Sequence, residues 1–128
     1  MRKARAWYVT KFQPQSGADI VRLITSGFDE SAYYRMVTSY WDMAASFVLN
    51  GAIDEELFHD SNTEYVAVFA KIEPYLGDVR KAYNSTRYLK SLEGLVRRAP
   101  DAENYIARMR QIANHWANMN AGNQSDTK

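Results

Sequence analysis

Apolar residues recur along most of this chain at intervals of three and four positions, the spacing that places side chains on one face of an α-helix. The longest apolar stretch without Gly or Pro spans 31–50. Its apolar stripe is Tyr33, Val37, Tyr40, Ala44 and Phe47, and further apolar residues widen that stripe. A helix that is apolar over most of its circumference must be surrounded by other helices. The pattern therefore predicts a bundle built around this stretch.

Residues that favour helix termini set the predicted ends of this central helix. Asp29 can accept hydrogen bonds from the free amides of the first turn, and Phe28 can pack back on the helix as a hydrophobic staple. Gly51 adopts the left-handed conformation after a helix at little cost, so it marks the other end. We expect a central helix over about 29–50, with its aromatic residues in the core.

Shorter helices are predicted before and after the central one, separated by Pro, Gly and polar turns. The segment 4–12 could be a strand or a helix, and helix is favoured because a lone strand would have no partner. The fold class is therefore all-α, an irregular helical bundle packed around a long central helix. Residues 1–120 form one domain, and the polar residues 121–128 form a flexible tail with nothing apolar to bury. The residues expected to be buried are Trp41, Phe47, Phe69, Leu92 and Ile112.

Composition narrows the possible functions only slightly. The chain of 128 residues suits a single domain, and the absence of Cys excludes disulfides and thiolate metal sites. The basic start of the chain is not followed by an apolar run, so no signal peptide is predicted, and no stretch reaches the length of a membrane span. We expect a soluble, cytoplasmic protein.

Charge is unevenly distributed although the net charge is only +1. Residues 29–64 hold eight acidic residues and one basic residue, whereas residues 65–100 hold seven basic and three acidic ones. A surface with an acidic and a basic face can steer a charged partner or favour self-association.

The densest chemical cluster is the acidic segment 54–60, which contains Glu56 and His59 at the Glu-x-x-His spacing. Di-iron helical bundles use that spacing twice, but the residue three positions before the other histidine, His115, is Ile112. The candidate ligand or metal residues are Asp42, Glu56, His59 and Glu64. An acidic helix start beside an exposed histidine explains the segment better than a site does, so no metal or cofactor is expected.

A second candidate surface is basic. Its residues are Arg80, Lys81, Arg87, Lys90, Arg97 and Arg98. They could contact phosphates, with Tyr83 and Tyr88 stacking on bases. Nucleic-acid binding is nevertheless the weaker interpretation, because no fold signature accompanies the charges and the pI is near 7.9.

The segment from Tyr40 to Phe58 combines a Trp-containing helix with the turn Gly-Ala-Ile-Asp-Glu-Glu-Leu-Phe. It resembles a group of small, all-helical bacterial proteins of unknown function that share this helix and turn, followed by a helix that starts at Glu. The resemblance covers about 40–80. It implies a bacterial, helical protein and supplies no activity, cofactor or catalytic residue.

Abundant Tyr and Trp, segregated charge and the lack of an assembled catalytic set favour a non-enzymatic protein-interaction module that self-associates. The alternative is a small-ligand-binding protein or an enzyme that uses an acidic/His groove beside the central helix. A further alternative is a weak nucleic-acid binder that uses the basic face at 80–98.

Overall fold

The structure is a computed structural model that describes residues 1–126, with side chains described over 1–119. Throughout that range the regular secondary structure is helical. The α-helices are α1 (Arg2–Thr10), α2 (Gly17–Thr25), α3 (Asp29–Leu49), α4 (Glu55–Ser61), α5 (Glu64–Ile72), α6 (Leu76–Ala82), α7 (Lys90–Val96) and α8 (Ala102–Asp126). A short 3-10 turn, Glu73–Tyr75, contains Pro74 and joins α5 to α6.

Helix α3 is the centre of the bundle. It packs against α1, α2 and α7 and also meets α4 and α5, while α8 lies across α1 and α5 and α6 lies against α2. The all-α prediction and the central position of α3 are confirmed. The ambiguous segment at the start of the chain is the helix α1.

The buried face of α3 is not the predicted one. The side chains that enter the core are Tyr34, Val37, Thr38, Trp41, Ala45 and Val48. At about 100° per residue, this face lies roughly a quarter turn from the predicted stripe. Helix α3 is apolar on nearly all sides, so hydrophobic spacing alone could not select the buried face. The hydroxyl of Thr38 is tolerated in the core because it donates to the carbonyl of Tyr34 at 2.8 Å.

The predicted core is partly confirmed. Trp41, Phe69 and Leu92 are buried, whereas Phe47 and Ile112 are 46% and 42% exposed, so those two predictions were wrong. Phe47 lies on the outer side of α3. Ile112 lies beside the buried face of α8, which consists of Ile106, Ala113 and Ala117.

The helices differ in how their N-termini are capped. Ser16 and Asp54 cap α2 and α4, accepting hydrogen bonds from the amides of Asp19 and Leu57 at 3.1 and 2.8 Å. The predictions that Asp29 caps α3 and that Phe28 packs back on it as a staple are wrong. Phe28 is itself the N-cap residue, and its side chain is 71% exposed. Helix α5 also begins without a capping side chain, since its N-cap residue, Thr63, makes no side-chain hydrogen bond at the helix start.

Helix α8 continues to Asp126, into the segment predicted to be a tail. The flexible tail predicted at 121–128 remains a prediction: residues 127–128 lie outside the described residues, and so do the side chains from 120 onward.

A buried lysine fixes the C-terminal end of α1 against α5. The ammonium of Lys71 donates hydrogen bonds to the carbonyls of Tyr8, Val9 and Phe12, the last two at 3.2 and 2.8 Å. Lys71 is the one charged residue among the buried polar side chains of the described part of the chain. The last carbonyls of a helix have no partner within the helix. Lys71 therefore supplies the partners that α1 and the turn after it need.

Burial lowers the pKa of Lys71 from its ordinary value to about 8. Between pH 8 and the ordinary lysine pKa near 10.5, the unfolded chain holds a proton that the folded chain has released, so stability rises with pH in this window. We predict that the free energy of unfolding of the wild type increases by about 2 kcal/mol relative to Lys71→Met between pH 7 and 10. Denaturant unfolding at a series of pH values measures it. Parallel pH profiles for the two proteins would contradict the assigned environment of Lys71.

Candidate functional site

The outer side of α3 presents large apolar side chains to solvent. Met36, Tyr40, Met43 and Phe47 are 43–51% exposed, and Leu57 of α4, next to them, is 64% exposed. The four α3 positions are spaced four, three and four residues apart, which is the spacing of a helix–helix seam. We call these five residues the α3 surface.

A groove lies at the C-terminal half of the α3 surface, between α3 and α4. It has a volume of about 460 Å³ and is lined by Tyr40, Met43, Phe47, Ile53 and Leu57 among others. Gly51, with a φ of +84°, reverses the chain after α3. Only Gly takes that conformation readily, so this turn folds α4 back beside α3 and forms the groove.

The exposed positions of α3 and its C-cap from 36 onward carry no charge. They are Met36, Ser39, Tyr40, Met43, Phe47 and Asn50. The acidic residue in this stretch, Asp42, is half-buried and its carboxylate is directed to α7. A helix face kept in water normally carries charged residues, so this uncharged apolar face is unusual for a surface that stays solvated.

Asp42 was a candidate site residue, and the structure gives it a structural partner. Its Oδ1 accepts a hydrogen bond from the amide of Leu92 at 2.9 Å, in the first turn of α7. The residue that precedes α7, Leu89, has a φ of +54° and provides no capping side chain. Asp42 therefore caps α7 from a different helix and places a negative charge where the helix dipole favours it.

Glu56 and His59 lie together in a cleft of about 270 Å³ between α4, α5 and α7. The Nδ1 of His59 is 2.8 Å from the hydroxyl of Tyr65, and Arg98 forms an ion pair with Glu55 at 2.9 Å. Burial, with smaller contributions from Tyr105 and Glu55, raises the pKa of Tyr65 to about 12. The phenol therefore stays protonated at neutral pH and can donate to His59.

The remaining acidic candidate, Glu64, lies apart from that cleft and pairs with Arg5 of α1 at 2.7 Å. The structure thus brings together Glu56 and His59, and separates both from Asp42 and Glu64. Over the described residues, no group of three or more His, Asp or Glu side chains is arranged to hold a metal ion.

The six basic candidates do not share one environment. Arg80 is largely buried and pairs with Glu93 at 3.1 Å, while its Nε donates to the carbonyl of Tyr88. Arg97 pairs with Glu73, Glu93 and Glu103, and Arg98 with Glu55. Those that remain, Lys81, Arg87 and Lys90, are exposed.

Sequence reasoning missed a second apolar cleft, of about 210 Å³, between α1, α5 and α8. Val9, Ala67, Met109 and Trp116 contribute to its lining, and Lys71 lies at its edge. The heptad-like spacing of Met109, Ile112 and Trp116 was the signal available in the sequence. Of these three residues only Ile112 was predicted to be buried, and the structure leaves Ile112 and Trp116 42% and 49% exposed.

The helices within the described residues are all too short or too polar to cross a membrane.

Comparison with known proteins identifies the family. Residues 1–99 match the model of the DUF4760 family, which is described as a domain of unknown function. The chain belongs to this family. The matched part includes α1 to α7, and therefore the α3 surface, Lys71 and the Glu56–His59 cleft. No curated protein and no solved structure matches the chain.

The cap that Asp42 provides can be tested directly. Asp42→Ala removes the acceptor of the Leu92 amide and is expected to lower the free energy of unfolding by about 1–2 kcal/mol. Asp42→Asn keeps an oxygen acceptor and should retain most of the stability. Thermal and denaturant unfolding of both variants measure the difference. Equal stability of Asp42→Ala and the wild type would contradict the capping role.

Proposed function

We propose that this protein is a non-enzymatic helical interaction module that self-associates through the α3 surface. One observation supports the proposal above the others: five large apolar side chains lie together on the outer side of α3 and α4, and no charged residue interrupts them on α3. Contiguous apolar patches of this kind are typical of binding surfaces. A second copy is the partner we propose.

The size of the surface sets the expected strength of association. Five side chains about half exposed correspond to roughly 400–500 Å² of apolar surface in each copy. Stable specific interfaces bury about 800 Å² in each partner, so these five side chains supply roughly half of that area. We therefore expect a concentration-dependent dimer with an affinity in the micromolar range.

The non-enzymatic part of the proposal is supported by the contacts of the acidic candidates. Asp42 accepts from the Leu92 amide and Glu64 pairs with Arg5, so both carboxylates have structural partners. The lack of Cys in the sequence and the resemblance of residues 40–58 to bacterial proteins support a bacterial, cytoplasmic setting.

A glutamate in the centre of the α3 surface should disrupt association, because it places an unpaired charge in a desolvated apolar contact. Tyr40→Glu is expected to weaken dimerisation by about tenfold or more. Tyr83→Glu is the matched control, since Tyr83 is 44% exposed and Tyr40 is 46% exposed, but Tyr83 lies at the end of α6. Sedimentation equilibrium from low micromolar to near-millimolar concentration measures both variants.

Circular dichroism and thermal unfolding at a concentration where the wild type is monomeric establish that both variants are folded. A wild type that stays monomeric throughout the concentration range would contradict self-association. Self-association through the α3 surface would also be contradicted if Tyr40→Glu and Tyr83→Glu had the same effect on the dimerisation constant.

The His59 cleft supports a second candidate function, the binding of a small ligand. Its hydrogen-bonded His59–Tyr65 pair and the nearby Glu56 are the one place where the predicted acidic/His residues converge. This cleft lies between α4, α5 and α7, whereas the sequence predicted an acidic/His groove beside the central helix.

Zinc serves as a probe of this cleft. One histidine with Glu56 provides too few ligands for a specific site, so we predict that zinc leaves the melting temperature of the wild type unchanged. His59→Ala should respond in the same way. A rise of several degrees in the wild type that is lost in His59→Ala would contradict this prediction and favour a metal-dependent ligand site.

A further inference from the structure

The apolar cleft between α1, α5 and α8 is separate from the α3 surface, because none of the described residues that line it belongs to α3. One side of the cleft is a face of α5, on which Glu64, Ala67 and Lys71 follow one another at helical spacing. The cleft therefore runs along about 10 Å of that helix. Met109 and Trp116 of α8 contribute another side. The small side chain of Ala67, between the two charged residues of α5, leaves the space open.

The volume of the cleft suits a small molecule. It is about 210 Å³. An apolar cavity of about 150 Å³ is large enough to bind benzene. Ala67, which lines the cleft, is partly exposed, so the space can be reached from solvent. The cleft therefore has room for a molecule with one or two aromatic rings.

The charged residues at the cleft already have partners. Glu64 forms an ion pair with Arg5 at 2.7 Å. The ammonium of Lys71 has three donors and uses them on three backbone carbonyls at the end of α1 and in the turn after it. A charged ligand would have to displace one of these contacts, whereas an uncharged apolar molecule enters without disturbing them.

The composition of the lining distinguishes between an aromatic and an aliphatic ligand. Tyr8 and Trp116 line the cleft together with Met109, whose thioether makes favourable contacts with aromatic rings. Lys71 lines it as well, and its ammonium lies 5.4 Å from the centre of the Tyr8 ring. Because a cation attracts the electron-rich face of a ring, a lining of this composition favours an aromatic molecule.

We infer that the cleft between α1, α5 and α8 is a binding site for a small, uncharged aromatic molecule. The ring packs on Ala67, between the side chains of Met109 and Trp116. Helix α8 begins at Ala102, outside the residues 1–99 that match the family model. The site therefore depends on a helix that the matched domain does not include.

NMR of the methionine methyl groups tests this inference, with indole as the probe. The chain contains five Met residues. Met109 lines the cleft, whereas Met36 and Met43 lie on the α3 surface. A bound ring shifts the methyl signal of a methionine that it contacts, so the spectrum shows where indole binds. Met109→Leu assigns the signal of Met109.

Two variants with the same added side chain test the position of the site. Ala67→Leu places the larger side chain in the space that the ring needs. Ala107→Leu is the matched control, because Ala107 is exposed on α8 and does not line the cleft. Circular dichroism establishes that both variants are folded. Benzyl alcohol and cyclohexylmethanol, which are nearly equal in size, compare an aromatic ring with an aliphatic one.

We expect indole to shift the Met109 signal saturably in the wild type and in Ala107→Leu, and to leave the signals of Met36 and Met43 in place. Ala67→Leu should weaken the binding of indole by about tenfold or more. Benzyl alcohol should bind more tightly than cyclohexylmethanol.

The absence of a saturable shift at Met109, or a shift no larger than those at Met36 and Met43, would overturn the site. Wild-type affinity for indole in Ala67→Leu would overturn it as well. Equal affinity for benzyl alcohol and cyclohexylmethanol would overturn the aromatic class of ligand. The wild-type spectrum locates the bound indole whether or not Ala67→Leu folds, and sedimentation measures self-association separately.

Discussion

The contact on which the fold most depends is the buried ammonium of Lys71 against the carbonyl end of α1. Helix α1 has nine residues, which is too short to be stable alone in water. Its end lies within the core, where unpaired carbonyls would be costly. A single side chain from α5 satisfies the carbonyls of Tyr8, Val9 and Phe12, and so holds the first helix on the bundle.

The same physical solution recurs at other helix ends. Asp42 of α3 supplies the acceptor that α7 lacks at its start, and Arg110 of α8 donates to the carbonyl of Ala70 near the end of α5 at 2.8 Å. Several helices of this bundle have only seven to nine residues, and their ends lie against other elements. Charged residues from distant parts of the chain therefore stabilise the bundle by capping, which leaves fewer of them available for chemistry.

This use of charge explains which features the sequence could predict. Features that depend on neighbouring residues were partly predictable: the all-α class and the separation of the helices by Pro, Gly and polar turns were predicted correctly, whereas the cap and staple predicted for α3 were wrong. Features that depend on distant partners were not. No local pattern joins Lys71 to α1 or Asp42 to Leu92, which are separated by about sixty and fifty positions. The prediction of the buried face of α3 was wrong for a related reason, because a helix that is apolar on nearly all sides takes its orientation from its neighbours.

The exposed apolar side of α3 also explains why Phe47 was wrongly predicted to be buried. Periodicity identifies apolar stripes but does not distinguish one that meets the core from one that meets another molecule. The core of this protein is complete without Phe47, because Trp41, Ala45 and Val48 fill the contact between α3 and its neighbours. The large residues that remain outside do not stabilise the monomer in proportion to their size. Their apolar area is released from water only when a second surface covers it, so the free energy that they can contribute belongs to association and not to folding.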